Sequence, residues 1–269
     1  MEWTPEADAA LKKVPFFVRK KVRARVEKEA REDGKRVVSI SDVNATQKRY
    51  LSGMSSEIKG YQIDMCFGPN GCPNRANAGD GLMEKIEGLL KKEDLLTFLK
   101  QSVSGDLKFH HEFRVTLADC PNACSQPQIK DIGIIGADEP TITDQECSLC
   151  EACVDACREE AVSLNSNEAI PEIDFERCLA CGKCMAACPT GTIVSGCKGY
   201  RVQLGGKLGR HPRLARELPG IYSETEVLTI VKDCLRQYKQ KSTGGRRFAD
   251  LFSNNDFDGL AARYRRQDR

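Results

Sequence analysis

The sequence predicts an α+β protein with a helical appendage in front and a cysteine-rich unit spliced into its middle. Three observations predict it. Segments with helical spacing of apolar residues are interleaved with short stretches of period two. Twelve of the fourteen cysteines fall into three sets of four. Two of those sets share one spacing and recur 31 residues apart, from Cys147 to Cys178, which marks a duplicated unit.

Residues 1–45 form the helical appendage. Pro5 suits a first helical turn, and Pro15 opens a longer helix through Phe16, Val18, Val22 and Val26 that Gly34 stops. Its other face, Arg19, Lys20, Lys21, Arg23 and Arg25, reads as solvated. Residues 46–140 carry the split cysteines. There Leu82 to Leu90 and Leu95 to Leu99 keep helical spacing. Phe113, Val115 and Leu117 alternate as a half-buried strand running to Cys120, and Ile132, Ile134 and Ile135 suggest another, ending at Gly136. Residues 141–197 are the duplicated insertion, each cysteine run being followed by a short apolar segment. After it come a strand at Tyr200 to Leu204 and a glycine-rich turn, Gly205 to Arg213. A helix then opens at Ser223, which makes a capping box with Glu226. Residues 253–269 read as a frayed tail.

At 269 residues the chain can bury one large core or roughly two to three small ones. Lysine plus arginine, 41, nearly balances aspartate plus glutamate, 39, so no global field points to nucleic acid or an anionic membrane. No apolar run approaches the ~20 residues of a membrane-spanning helix. The start of the sequence lacks the apolar stretch of a signal peptide. The expectation is a cytoplasmic protein in a reducing compartment, where clustered thiols are metal ligands rather than disulfides.

Cys147, Cys150, Cys153 and Cys157 read C-x2-C-x2-C-x3-C, and Cys178, Cys181, Cys184 and Cys188 repeat the pattern, closing on Pro189. One loop with this spacing wraps three thiolates around a four-iron cluster, and the fourth cysteine of each run ligates the other cluster. By that rule Cys147, Cys150, Cys153 and Cys188 hold one cluster, and Cys178, Cys181, Cys184 and Cys157 hold the second. Structural zinc prefers separated cysteine pairs to tight triplets. The insertion therefore resembles a bacterial dicluster ferredoxin. It departs from the pattern at Arg158, which stands where proline usually follows the first run.

The third set is split into Cys66 and Cys72, a C-x5-C pair, and Cys120 and Cys124, a C-x3-C pair. Each is a weak signal alone. The segment Phe113–Gly136, FRVTLADCPNACSQPQIKDIGIIG, resembles the second cluster-binding segment of the sirohaem-dependent nitrite and sulfite reductases, and Cys66–Cys72 is similar to their first. Tyr200–Arg213 and Glu217–Phe252 resemble the end of the same domain. The pattern Trp3–Ala7 with Pro15–Arg19 resembles the small C-terminal domain of light-independent protochlorophyllide reductase subunits. The resemblance implies a ferredoxin-like nitrite/sulfite reductase 4Fe-4S half-domain, discontinuous over residues 46–140 and 198–252, with an inserted bacterial dicluster ferredoxin at 141–197.

What the resemblance implies for the site is a third [4Fe-4S] cluster on Cys66, Cys72, Cys120 and Cys124, with Cys124 bridging it to the iron of sirohaem. The implied activity is reduction of sulfite, with nitrite second, fed from an external ferredoxin, flavoprotein or reductase subunit through the two inserted clusters. A small anionic substrate and the sirohaem carboxylates need cations. Lys207, Arg210 and Arg213 rank first because a glycine turn precedes them, with Arg114 after them. Arg75, Lys108, His110, His111, Arg201 and His211 complete the candidates. As neighbours on a strand, His110 and His111 would face opposite sides. The larger reductases have two related halves and this chain carries only the second, so a homodimer or a partner subunit could rebuild the missing wall. The alternative function, on the same four ligands, is a haem-free, three-cluster electron-transfer subunit serving a separate reductase.

Overall fold

The computed structural model describes residues 1–165 and 169–265. It divides into two compact units, Met1–Ile58 with Gly105–Phe109, and Lys59–Ser104 with His110–Arg269.

The first unit is built on three helices, α1 (Pro5–Lys12), α2 (Phe16–Glu32) and α3 (Ile40–Ser56), beside a minimal parallel pair, β1 (Glu2–Trp3) and β2 (Val37–Val38). The Thr4 hydroxyl caps α1 by accepting from the Ala7 N–H, and Pro5 sits in the first turn, where an N–H would have no intrahelical partner. Ala7, Val26, Ala30, Val38 and Val43 pack together as its core. Residue 45 is not a boundary, because α3 runs through it unbroken. The basic face of α2 is partly neutralised by i,i+4 pairs, Arg23 with Glu27 and Arg25 with Glu29.

In the second unit the strands β3 (Tyr61–Met65), β4 (Phe113–Ala118), β5 (Ile132–Ile142), β8 (Ile193–Leu204) and β9 (Arg216–Glu217) form one sheet in the order β3-β4-β5-β8-β9. The first three are parallel and the last two antiparallel. The parallel β3–β4 crossover is made by α4 (Asp80–Lys92) and α5 (Leu95–Ser102). Alternation along the strands puts Phe113, Val115, Leu117, Ile132, Ile134, Tyr200, Val202 and Leu204 on one face. That face packs against α4, α5 and α8 (Glu224–Lys241), followed by α9 (Phe248–Leu251) and α10 (Asn254–Tyr264). The other face carries Gln62, Asp64, Arg114, Thr116, Arg201 and Gln203.

Several expectations change here. The strand starting at Ile132 runs past Gly136 to Ile142 and pairs with β8 along its whole length. The boundaries at 140/141 and 197/198 therefore fall inside a continuous antiparallel ribbon, kinked by a bulge at Glu139/Pro140, where proline has no N–H to donate. At the end of this ribbon sit α6 (Ala152–Ala156), a hairpin of β6 (Val162–Asn165) and β7 (Ile170–Ile173), and α7 (Lys183–Ala187). The supposed tail is α10: Ser253 and Asp256 make a capping box, and Phe257 and Leu260 are buried in the core. Residues 266–269 of that tail lie outside the described residues. His110 and His111 lie in a 3-10 turn rather than a strand, with their rings 4.3 Å apart.

Candidate metal centres

The split set is assembled at the ends of the parallel strands. β3 delivers Cys66, whose N–H continues the pairing by donating to Leu117 O at 2.9 Å, and β4 delivers Asp119 and Cys120. After Cys66 the chain makes a 3-10 turn, Gly68–Asn70, and Gly71 turns it with a φ of 93°. The Cys72 N–H then closes on Gly68 O at 3.2 Å. After Cys120, Ala123 takes a φ of 53°, an αL conformation that costs a non-glycine residue energy. Cys66 Sγ accepts from the Gly68 N–H at 3.4 Å and from the Asp119 N–H at 3.3 Å, so one sulfur joins both halves of the set. Burial pushes the Cys120 thiol up, and the neighbouring Cys72, Cys124 and Cys66 push it further. The four sulfurs thus share one neighbourhood. They differ in shelter: Cys120 is buried, Cys66 and Cys72 are half-buried, and Cys124 is exposed.

Sequence reasoning missed the residue that locks this arrangement. Asp119 is 1% exposed. Its carboxylate accepts from Arg75 Nε at 2.5 Å and from the Gly79 N–H at 3.1 Å, and its carbonyl accepts from Ala76 and Asn77. It leaves no room for a Cβ at Gly68. Burial raises its pKa although Arg75 opposes the shift. The available signal was an acid directly after a strand's run of apolar and small residues, where burial requires a cation partner.

In the insertion the sulfurs group across the two runs. Burial raises Cys153, helped by Cys188 and Cys147, and Cys188 also lies near Cys150. Burial opposes it, but the backbone N–H of Ile193 and the Thr190 hydroxyl hold Cys188 down to about 7. Burial pushes Cys184 up to about 11, and Cys178, Cys181 and Cys157 add to it. The structure therefore brings Cys147, Cys150, Cys153 and Cys188 around one hollow, and Cys157, Cys178, Cys181 and Cys184 around another. Among the described residues, no three His, Cys, Asp or Glu side chains close on one point that a single ion could occupy. Thiolate sets with backbone N–H groups donating to sulfur fit the cluster chemistry.

The second hollow has a further wall. Its cleft is lined on the far side by Cys120, Pro121 and Asn122 of the split set. Two contacts hold the insertion in this position: the Asp138 N–H donates to Ala180 O at 2.8 Å, and Arg201 Nη1 donates to Leu179 O at 3.1 Å. Arg201 is itself held by Glu217 at 2.7 Å.

The candidate cations separate by what they touch. Lys207 pairs with Asp250, and the Arg213 guanidinium donates to the carbonyls of Gly205 and Ala249. Arg75 is committed to Asp119 and Asp80. Arg210 and His211 are exposed on the glycine-rich turn. Arg114 stands on the polar sheet face and its N–H donates to Asp131. On the same face the Thr116 hydroxyl lies 3.4 Å from Ser125 O, which sets the turn after Cys124 over the end of that face. Of the two remaining cysteines, Cys234 is fully buried on α8, and Cys197 packs against Ala137, Ala180 and Ile221.

The chain is similar to known proteins over most of its length. The family model of the nitrite and sulphite reductase 4Fe-4S domain matches residues 65–266, and that of the Proto-chlorophyllide reductase 57 kD subunit matches residues 3–46. The coenzyme F420-dependent sulfite reductase of Methanocaldococcus jannaschii is 31% identical over 139 residues, covering 52% of this chain and 21% of that protein. The beta subunit of the dissimilatory-type sulfite reductase of Archaeoglobus fulgidus is 31% identical over 107 residues, covering 38% of this chain and 29% of the other. The crystal structure of dissimilatory sulfite reductase I superposes on 80% of the chain and 56% of its own with a TM-score of 0.49 at 14% identity. The match thus spans less than half the length of these two sequence relatives. Because one family model takes in both halves of the split cysteine set and the whole insertion between β5 and β8, the chain belongs to the nitrite and sulphite reductase 4Fe-4S domain family.

Proposed function

We propose that this chain is the cluster- and sirohaem-carrying part of a sulfite reductase, with nitrite as second substrate, working in a reducing cytoplasm. The exposure of Cys124, against the burial of Cys120, carries this reading. Cys66, Cys72 and the buried Cys120 would hold the cluster, and the exposed Cys124 would be the thiolate open to sharing with a macrocycle. Sirohaem, when bound, supplies the redox-active iron at which a small oxyanion is reduced. Around it the chain's own residues bind and orient: Arg114 on the polar sheet face and Arg210 on the turn offer charge, and His211 a ring nitrogen, to carboxylates and substrate oxygens. Lys207 and Arg213 hold that turn in shape. Asp119 and Arg75 fix the relative positions of Cys66 and Cys120.

The same reading assigns three [4Fe-4S] clusters to the three sets and gives them an order. The set of Cys157, Cys178, Cys181 and Cys184 shares its cleft with the Cys120 turn and is the inner relay, while that of Cys147, Cys150, Cys153 and Cys188 is the outer one, facing the donor. A partner subunit or a second copy completes the substrate pocket. The test is pigment extraction from anaerobically purified protein, with reconstitution by sirohaem. Sirohaem bands that lose their coupling to the cluster in Cys124→Ser are expected. About twelve irons with no pigment bound after reconstitution would refute the enzyme and leave a haem-free electron carrier.

A further inference from the structure

The two inserted cysteine sets are not electrostatic copies of each other. Between the second and third cysteines of the first run stand Glu151 and Ala152, and at the matching place in the second stand Gly182 and Lys183. Glu151 is the charged residue lining the first hollow, whereas Arg158, Glu159 and Lys183 line the second. From Thr143 to Cys157 the first run carries Asp144, Glu146, Glu151 and Asp155 and no lysine or arginine. The matching stretch of the second, Asp174 to Cys188, carries Asp174 and Glu176 against Arg177 and Lys183; Arg177 pairs with Glu160 at 3.1 Å, and Glu139 is an anion near Cys178. Lys183 is half-buried while Glu151, Arg158 and Glu159 are exposed, so water and salt screen Lys183 least.

Reducing a cluster held by four thiolates adds one negative charge to an already anionic site. A nearby cation favours that step and an anion disfavours it, so net local charge helps to set the potential. We propose that Lys183 raises the reduction potential of the inner site, on Cys157, Cys178, Cys181 and Cys184, above that of the outer site on Cys147, Cys150, Cys153 and Cys188. One electron arriving at the acid-rimmed outer site is then drawn inward, the outer site being oxidised and the inner reduced by one electron, with no proton or bond following. Lys183 acts as a positioning charge toward the cleft it shares with Cys120.

The inference rests on the reading that these eight cysteines hold two clusters, and the measurement separates the two. Anaerobic full-length protein, its iron and sulfide counted, is titrated against potential and followed by electron paramagnetic resonance. Two resolved one-electron steps are expected. Lys183→Glu should lower the higher of them by about tenfold in the one-electron equilibrium, near 59 mV, and Lys183→Gln by about half of that. Glu151→Lys should raise the lower step by a smaller amount because Glu151 is exposed. If Lys183→Glu sheds iron, Lys183→Gln carries the measurement. Full iron with steps that coincide, or that ignore both Lys183 variants, overturns the inference alone. A wild-type protein without the roughly eight irons of the two runs overturns the cluster reading beneath it.

Discussion

Removing the Asp119 carboxylate should loosen the whole split cysteine set. Its loss costs the pair with Arg75 Nε at 2.5 Å and the acceptor of the Gly79 N–H. It also empties a site that is 1% exposed. Breaking a buried ion pair by deleting one partner costs about 3–5 kcal/mol. Arg75 is 26% exposed and keeps Asp80 at 2.8 Å, so the lower end applies, about 3 kcal/mol for Asp119→Ala. In a unit of this size that corresponds to roughly 6–12 °C in Tm. Asp119→Asn keeps an acceptor for Gly79 but not the charge, and about 1–2 kcal/mol follows. Thermal melts of the anaerobic protein, with iron counted on the same samples, check this. The Ala variant should lose about four irons of about twelve, those of the split set, while the insertion keeps its own. Both variants melting with wild type at full iron content would falsify the view that Asp119 organises Cys66 and Cys120.

Two further perturbations test the scaffold. Burial pushes Asp131 up to about 6, although Arg247 and the N–H groups of Arg114 and Ala249 oppose it. Its folded pKa therefore lies above the ordinary ~3.9, so its contribution is fully present below pH ~4 and is lost as pH rises through 6, by about 3 kcal/mol. Urea midpoints between pH 4 and 7 should fall with pH in wild type and flatten in Asp131→Asn; parallel profiles would refute the assignment. Ser223→Ala removes the cap and box that start α8, and about 1 kcal/mol of destabilisation is expected in a thermal melt. A gain, or no change, would show that the core alone nucleates that helix.

The cysteine sets were legible because their grouping is written in local spacing. The two runs of Cys147–Cys157 and Cys178–Cys188 need only one loop each to bring three thiolates together, and the structure groups them across the runs as that rule requires. Capping boxes and helical periodicity are likewise local, so α2, α4 and α8 stood where expected. Elements that depend on distant partners were not legible. β3 is a weakly patterned strand that exists because it pairs with β4. β5 and β8 run long because each completes the other's hydrogen bonds. The polar sequence after Ser253 hides a helix that α8 and the aromatic cluster stabilise.

By itself, the sequence determined which cysteines form sets and what chemistry they suit, since spacing along a chain is a covalent property. Only the tertiary structure decided which residues those sets meet. It spent Lys207, Arg213 and Arg75 on carbonyls and carboxylates, left Cys124 facing outward, and laid the inner hollow against the Cys120 turn. Those outcomes follow from burial and charge pairing between residues far apart in sequence, as with Arg75 and Asp119, and no local pattern encodes them.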